Sequence, residues 1–297
     1  RVVSAGERVI VVGAGVAGLS AAYRLRQQGF DVTVLEAEDH VGGKTAATRR
    51  DGFTLNRGAT VLGGSYRAML SLAKELGVDS ELVPVAPTIG VFGGGRVHWL
   101  RGALPGAAID FVTTPLLSPR SALAARLDVV TSAEVMDPDL QGMLLEGLQQ
   151  ANMISARFAL SRRPDTDALV VVVPSGELDG VATVMYEHNI SPGCAPPGKG
   201  VVGALLYHEW VTPRLSLSDD ELLESLLPAL DAVVPGIADM VEFCELTRWQ
   251  PAALRSRPGM HKLIAQIDAR LDATGPVQLA GDYLSIPSVN GSVGWSP

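Results

Sequence analysis

Hydrophobic positions in the first 36 residues follow two different periods. Residues 8–12 read Arg-Val-Ile-Val-Val, a short β-branched run typical of a strand that is buried on both faces of a parallel sheet. From Leu19 to Gln28 the apolar residues recur at helical spacing, and Gly29 ends that helix. Residues 31–35 form a second apolar run, which stops at Glu36. The pattern predicts a strand, a helix and a second parallel strand.

A glycine-rich turn joins the first strand to the helix. Its first glycine permits the tight turn, its second lets the backbone approach a pyrophosphate, and its third allows the helix to pack closely on the strand. The helix N-terminus offers unpaired N–H groups to phosphates. Glu36 can accept hydrogen bonds from ribose hydroxyls and would repel a 2′-phosphate, which favours FAD or NAD over NADP. The predicted contacts in this turn are Gly13, Ala14, Gly15, Val16, Ala17 and Gly18.

The segment that follows the second strand distinguishes FAD from NAD. Residues 36–45 read Glu-Ala-Glu-Asp-His-Val-Gly-Gly-Lys-Thr. This segment resembles the amine oxidase, protoporphyrinogen oxidase and phytoene desaturase superfamily of flavoproteins, which implies FAD as the cofactor. Lys44 stands where many members have arginine, so a charge is kept without a bidentate fork. The contacts that the resemblance implies are Glu36, Ala37, Gly42, Gly43, Lys44 and Thr45.

Three later segments extend the resemblance. Residues 51–60 match the family segment that leads to the flavin, and an amphipathic helix over 66–78 is expected to follow. Residues 277–283 resemble the last FAD strand, and residues 248–252 resemble an Arg-Trp-x-x-Ala stretch in which the tryptophan abuts the flavin. Packing of that tryptophan in the core is the alternative. The implied contacts are Gly58, Ala59, Thr60, Val61, Trp249, Gly281, Asp282, Pro287, Ser288 and Val289.

The expected fold class is α/β, with a Rossmann-like FAD-binding domain of parallel sheet and helices interleaved with an α+β substrate domain. The FAD-binding domain is expected to take residues 1–65, a strand in 166–180 and residues 266–297. The substrate domain is expected in 66–165 and 181–265. Residues 181–187 and 201–207 are predicted to be neighbouring strands. Ser218 and Glu221 predict a helix that begins with a capping box.

Several family segments are missing from the middle of the chain. Members of the superfamily are usually longer, and the Gly-Gly-Met segment that selects the substrate has no match between residues 120 and 200. We hypothesise that the sequence omits native stretches around 115–205 and after 297, with a genuine deletion as the alternative. Intact mass spectrometry would decide, because the sequence corresponds to 31.2 kDa.

Composition and spacing disfavour several other functions. The net charge of −8 argues against a nucleic-acid partner, which needs a basic face. Cys194 and Cys244 form no C-x-x-C pair, and the histidines lack ligand spacing, so no metal is expected. No apolar run reaches the ~18 residues of a membrane span, and a soluble, cytoplasmic protein is expected. The apolar stretches 103–117 and 222–238 are candidates for a peripheral membrane or partner surface, with core helices as the favoured alternative.

The resemblance implies a flavin-dependent oxidoreductase. Such an enzyme passes a hydride from a CH–NH or CH–CH group of a small, largely apolar substrate to flavin N5, and O₂ or another acceptor reoxidises the flavin. A carotenoid-type desaturase or isomerase and a non-catalytic FAD-binding protein are the alternatives, while an NAD-dependent dehydrogenase is disfavoured. Spacing supports no catalytic triad or carboxylate pair, so no catalytic residue is assigned. Tyr66, Tyr207 and His208 are pocket candidates that are more often structural.

Overall fold

The computed structural model describes residues 6–85, 88–101, 150–254, 260–270 and 278–279. Over these residues the chain contains a two-stranded parallel unit, a β-hairpin and a seven-stranded mixed sheet with helices packed against it. The predicted α/β class is therefore confirmed.

The N-terminal unit has the predicted order of elements. Strand β1 (Arg8–Val12) pairs in parallel with β2 (Asp31–Leu35), and helix α1 (Val16–Gln27) connects them. The amide of Gly13 donates to the carbonyl of Leu35 at 2.7 Å, which anchors the turn to the end of β2. A positive φ of 92° at Gly29 ends the helix, as expected of a residue without a Cβ.

One face of this strand pair is exposed. Ile10 is 65% exposed, Val12 is 83% exposed and Leu35 is 50% exposed. The prediction that β1 is buried on both faces is therefore wrong. The physical reason is that α1 covers one face, while no described element covers the face that carries these three side chains.

A hairpin and a helix follow the βαβ unit. Strands β3 (Ala47–Arg50) and β4 (Phe53–Asn56) pair in antiparallel fashion. Helix α2 (Arg67–Glu75) confirms the helix predicted within 66–78. The carboxylate of Glu75 accepts hydrogen bonds from three side chains of α1, and these contacts fix the two helices to each other: Tyr23 at 3.1 Å, Arg24 at 2.7 Å and Gln27 at 2.8 Å.

The large sheet consists of seven strands: β5 (Thr88–Gly93), β6 (Arg96–Arg101), β7 (Gln150–Leu160), β8 (Val170–Val172), β9 (Val181–Tyr186), β10 (Gly200–Leu206) and β11 (Val241–Leu254). Their order in the sheet is β11-β7-β10-β9-β8-β5-β6. Among its described pairs only β5 and β8 are parallel. The predicted neighbours over 181–187 and 201–207 are confirmed as β9 and β10, with a short helix α3 (Glu187–Ile190) between them.

Strand β8 lies within the segment 166–180, which is predicted to contribute a strand to the FAD-binding domain. It pairs in parallel with β5 and in antiparallel fashion with β9, so it belongs to the large sheet and is not a neighbour of β1 or β2. Val171 and Val173 are fully buried in the core of that sheet. A short apolar run fits any buried strand, and the run alone does not identify its sheet. The domain boundaries stay a prediction.

The two faces of the large sheet contact different layers. On β7, Ile154, Ala156 and Phe158 point into the main hydrophobic core, which also contains Leu222 and Leu226 of helix α5 (Asp219–Asp231). The core alternative for the stretch 222–238 is therefore confirmed, while 103–117 lies outside the described residues.

The opposite face of the sheet packs against the hairpin. There Ala159 and Val201 contact a smaller cluster with Phe53 and Leu55 of β4. The remaining α-helices of the described residues are α4 (His208–Val211), α6 (Ile237–Met240) and α7 (Met260–Asp268). Within the described ranges, no helix has the length and hydropathy of a membrane span.

The predicted capping box at the start of α5 is present. The Ser218 hydroxyl accepts from the Glu221 amide at 3.3 Å, and the Glu221 carboxylate accepts from the Ser218 amide at 2.8 Å. We expect Ser218→Ala to lower the free energy of unfolding by about 1 kcal/mol, because amides at the helix start lose their acceptor. Urea unfolding would measure it. Ser225→Ala, the same change inside α5, should have little effect, and equal losses would contradict the capping role.

Candidate cofactor-binding site

The turn between β1 and α1 leaves open space in front of its backbone. An added Cβ at Gly13 or Gly15 would meet no atom within 4 Å. No side chain caps α1, and its first turn contains no acidic residue, so the amides at its N-terminus face that space without an internal acceptor. Gly18, in contrast, is tightly packed: its Cβ would lie 1.9 Å from the carbonyl oxygen of Gly13. Gly15 therefore leaves room for a ligand, and Gly18 allows helix α1 to pack closely against strand β1.

The Glu36 carboxylate lies at the edge of this open space. It accepts hydrogen bonds from the amides of Ala14 at 2.6 Å, Ala37 at 2.8 Å and Glu38 at 3.0 Å. These donors, that of Glu38 first, lower the pKa of Glu36. The group is therefore an ionised hydrogen-bond acceptor across the neutral range, as binding of ribose hydroxyls requires.

A second glycine turn lies directly beside the first. The Gly42 amide donates to the Ala14 carbonyl at 2.8 Å, and Gly15 and Gly42 form an isolated parallel bridge. Gly42 has a φ of 105°, and a Cβ at Gly43 would lie 3.3 Å from Cα of Gly15. The Thr45 hydroxyl closes the turn by donating to the Gly42 carbonyl at 2.8 Å. These glycines allow two backbones to come together beside the helix N-terminus.

The predicted flavin segment reaches the same place. The Ala59 amide donates to the Lys44 carbonyl at 2.8 Å, and a Cβ at Gly58 would lie 2.5 Å from that carbonyl oxygen. A cavity of about 220 Å³ opens between this segment, the second turn and the start of α1. Five of its seven lining residues are sequence-predicted contacts; the lining is Val16, Thr45, Ala59, Thr60, Val61, Leu62 and Met69.

Trp249 lies at this segment. Its indole N–H donates to the carbonyl of Arg57 at 3.2 Å, the residue before Gly58. The side chain is half-buried, neither sealed in the core nor free in solvent. The structure thus brings Trp249 to the backbone that precedes the cavity, across 192 positions of sequence.

A buried ion pair supports the segment from behind. Arg157 on β7 is 1% exposed, Glu187 at the start of α3 is fully buried, and their side chains form a salt bridge through Arg157 Nε and Glu187 Oε1. Burial raises the pKa of Glu187 and lowers that of Arg157, and each partner opposes the shift of the other. Arg157 Nη2 also donates to the carbonyl of Gly58 at 3.2 Å.

Neither Arg157 nor Glu187 is among the site residues predicted from the sequence. A signal existed on β7, where Arg157 interrupts an otherwise apolar and small run over residues 154–160. An arginine in such a run is almost never buried without a partner. Its partner could not be named, because the pairing depends on how β9 and β10 are placed in the sheet.

The other sequence-predicted residues are placed as follows. Tyr207 donates to the carbonyl of Val173 at 2.6 Å, and Nδ1 of His208 accepts from the amide of Asn152 at 2.8 Å, so both polar groups have structural partners. Tyr66 precedes α2, and none of the three lines the cavity near Thr60. Five contacts lie outside the described residues: Gly281, Asp282, Pro287, Ser288 and Val289.

A second cavity of about 480 Å³ lies elsewhere, between Trp99, the loop 162–166 and residues 233–235. It shares no lining residue with the smaller cavity, and no predicted cofactor contact lines it. Because its wall includes Tyr186 and Met240 of the main core, it lies on the face of the sheet away from the hairpin.

The described residues fit a flavin dinucleotide. The uncapped start of α1 and the open space at Gly15 suit a pyrophosphate, and the ionised Glu36 suits the adenosine ribose. The cavity beside Ala59 and Thr60 offers an apolar wall for a ring system. Nothing in this set of contacts would attract the 2′-phosphate of NADP.

Comparison with known proteins agrees with this reading. Residues 16–162 match the model of the family described as flavin containing amine oxidoreductase. Coproporphyrinogen III oxidase of Staphylococcus aureus is 34% identical over 142 residues, which cover 44% of this chain and 30% of that protein. Flavin-containing amine oxidase A of Sus scrofa is 38% identical over 98 residues, covering 33% and 19% respectively.

Solved structures share the fold. An engineered putrescine oxidase superposes with a TM-score of 0.70 at 15% identity, covering 98% of this chain and 96% of that one. The sequence matches to the two curated relatives span less than a third of each relative's length. The βαβ unit, the two glycine turns and the family match carry the cofactor assignment to FAD. Residues 16–162, just under half of the chain, are thus similar to the flavin-containing amine oxidoreductase family.

Proposed function

We propose that the protein is an FAD-dependent oxidoreductase that removes a hydride from a CH–NH or CH–CH group of a small organic substrate. The observation that carries this proposal is the convergence of four backbone segments at one open space: the turn after β1, Glu36, the Gly42–Gly43 turn and the segment 58–61. The named relatives include oxidases of porphyrinogens and of amines, so both substrate classes follow from the same family.

Each segment has a task in binding and orienting the cofactor. The amides at the start of α1 bind the pyrophosphate, and Glu36 binds the ribose. Residues 58–61 form the wall that holds the ring system in place and keeps water from one side of it. Bound FAD supplies the hydride acceptor at its N5 atom, and O₂ or another acceptor removes the electrons. The protein's contribution to the rate is to hold the substrate carbon against the ring.

The test is to purify the full chain, record the visible flavin absorption and identify the nucleotide released on denaturation. We expect FAD. Anaerobic titration with amines, porphyrinogens and polyenes then identifies the substrate class by the donor that bleaches the flavin. Bleaching by a polyene alone would favour the desaturase alternative, and no bleaching by any donor would favour a non-catalytic FAD-binding protein. A colourless protein that takes up no FAD on reconstitution would refute the proposal.

Removing the charge of Glu36 should weaken FAD binding. We expect Glu36→Gln to raise the dissociation constant of FAD about tenfold, because an amide accepts less strongly than a carboxylate from ribose hydroxyls and from the amide of Ala14. Fluorescence titration of the apoprotein measures this constant.

The neighbouring Glu38→Gln is the matched control, since the proposal gives no ligand to that exposed side chain. If Glu38→Gln also weakened FAD binding tenfold, the loss in Glu36→Gln would be a general effect of removing negative charge.

The lowered pKa of Glu36 also determines how FAD binding depends on pH. A carboxyl group whose folded pKa is depressed keeps its charge above the usual range of glutamate and loses it as pH falls through the folded pKa. FAD affinity should therefore stay constant between about pH 5 and 8 in the wild type.

A further inference from the structure

The Arg157–Glu187 pair lies directly behind the wall of the cofactor cavity. Arg157 Nη2 donates to the Gly58 carbonyl at 3.2 Å and to the Thr60 hydroxyl at 3.4 Å. Glu187 Oε2 accepts from the Asn56 amide group at 3.0 Å, and its other oxygen lies 3.5 Å from the Thr60 hydroxyl. The pair thus contacts three residues, Asn56 at the end of β4 and Gly58 and Thr60 beside the cavity.

Stability alone does not account for this pair. Moving two charges out of water costs free energy, and apolar side chains of similar volume often stabilise a core as well or better. The surroundings are nevertheless shaped for the pair. A Cβ at Gly203 on β10 would lie 2.8 Å from Glu187 Oε1 and 3.0 Å from Arg157 Cδ. The space for the ion pair therefore depends on the absence of a side chain at this position of the neighbouring strand. Arg157 Nη1 is held in turn by the Ser155 hydroxyl at 2.7 Å.

We propose that Arg157 and Glu187 are positioning residues that fix the backbone of residues 58–60, and through it the wall against which the flavin ring is held. The inference rests on the proposed function for the identity of the cofactor. Strand β7 of the large sheet supplies Arg157, and helix α3, which directly follows β9, supplies Glu187. The segment that the pair holds belongs to the N-terminal part of the chain. The pair therefore sets the position of the cofactor wall relative to the sheet.

The wall segment, residues 58–61, is held from two sides. On one side, the Ala59 amide donates to the Lys44 carbonyl at 2.8 Å and ties the segment to the second turn. Its Gly58 carbonyl and Thr60 hydroxyl point the other way, toward the sheet, where Arg157 and Glu187 meet them. A lysine at 157 would keep the charge but not the planar fork that reaches Glu187, Ser155 and Gly58 together.

The experiment compares two variants of the full chain that alter opposite faces of β7. The double variant Arg157→Met/Glu187→Gln removes both charges without leaving one unpaired. Phe158→Leu, at the adjacent fully buried position, disturbs only the main core and is the matched control. Two readouts are taken: amide hydrogen exchange of residues 58–61 in the apoprotein, and the FAD dissociation constant by fluorescence titration. The urea midpoint of each variant is also measured, so that the two variants can be compared in stability.

We expect the double variant to show about tenfold faster exchange at residues 58–61 and about tenfold weaker FAD binding. Phe158→Leu should leave both values near those of the wild type even where its urea midpoint falls further. Equal changes in the two variants, or no change in either, would overturn the positioning role. If the wild type takes up no FAD, the proposed function fails, and the exchange data still decide whether the pair fixes residues 58–61.

Discussion

Gly15→Ala is expected to abolish most FAD binding while leaving the apoprotein as stable as the wild type. The added Cβ meets no protein atom within 4 Å, and Gly15 has φ −73° and ψ 177°, which alanine adopts freely. The same methyl group would occupy the space through which a pyrophosphate approaches the helix N-terminus. We expect the FAD dissociation constant to rise about a hundredfold, equivalent to about 2.7 kcal/mol. Fluorescence titration and urea unfolding of one preparation give both quantities.

Gly18→Ala, unlike Gly15→Ala, should destabilise the apoprotein itself. Its Cβ would lie 1.9 Å from the Gly13 carbonyl oxygen and 3.3 Å from a methyl carbon of Val11. Helix and strand would have to separate, at a cost of about 2 kcal/mol or more in unfolding free energy. Gly193→Ala, where a Cβ again meets nothing within 4 Å, is the matched control and should change neither quantity. If Gly15→Ala bound FAD normally, the phosphates would not lie at this turn.

The part of the site that follows from sequence is the part made by local rules. The turn at residues 13–18, Glu36 and the Gly42–Gly43 turn lie within one βαβ unit and the segment after it, where chain connectivity dictates proximity. The prediction of these turns depends mainly on the glycines, because their spacing indicates where the backbone approaches another backbone or a ligand. The contacts at residues 58–61, in contrast, are predicted only by the resemblance of residues 51–60 to the flavoprotein superfamily.

The missed part depends on long-range pairing. Asn56 and Glu187 are separated by 131 positions, and their contact exists only because β9 and β10 place α3 behind the hairpin. Strand β8 shows the same limit: its apolar run predicts a buried strand, but two sheets could have accepted it. The exposed face of β1 is a third case, since β-branched residues indicate a strand without showing what covers it.

Removing Arg157 alone should destabilise the protein far more than removing both charges. We expect Arg157→Met to lower the free energy of unfolding by about 3–5 kcal/mol at neutral pH, because Glu187 would remain fully buried without its counter-ion. The double variant Arg157→Met/Glu187→Gln should recover most of that loss. Urea unfolding of the wild type, both single variants and the double variant forms a cycle that isolates the coupling between the two side chains.

The pH dependence of the stability of Arg157→Met tests independently whether an unpaired carboxylate of Glu187 destabilises the variant. Burial raises the pKa of Glu187, and the variant lacks the guanidinium that opposes this rise. A carboxyl group with a raised folded pKa binds its proton more tightly in the folded than in the unfolded state, so folding loses stability as pH rises from the unfolded pKa to the folded pKa. The deficit relative to the double variant should therefore be smallest near pH 4 and grow toward neutrality. A deficit that is the same at all pH values would show that lost packing around the methionine, rather than an unpaired carboxylate, destabilises the variant.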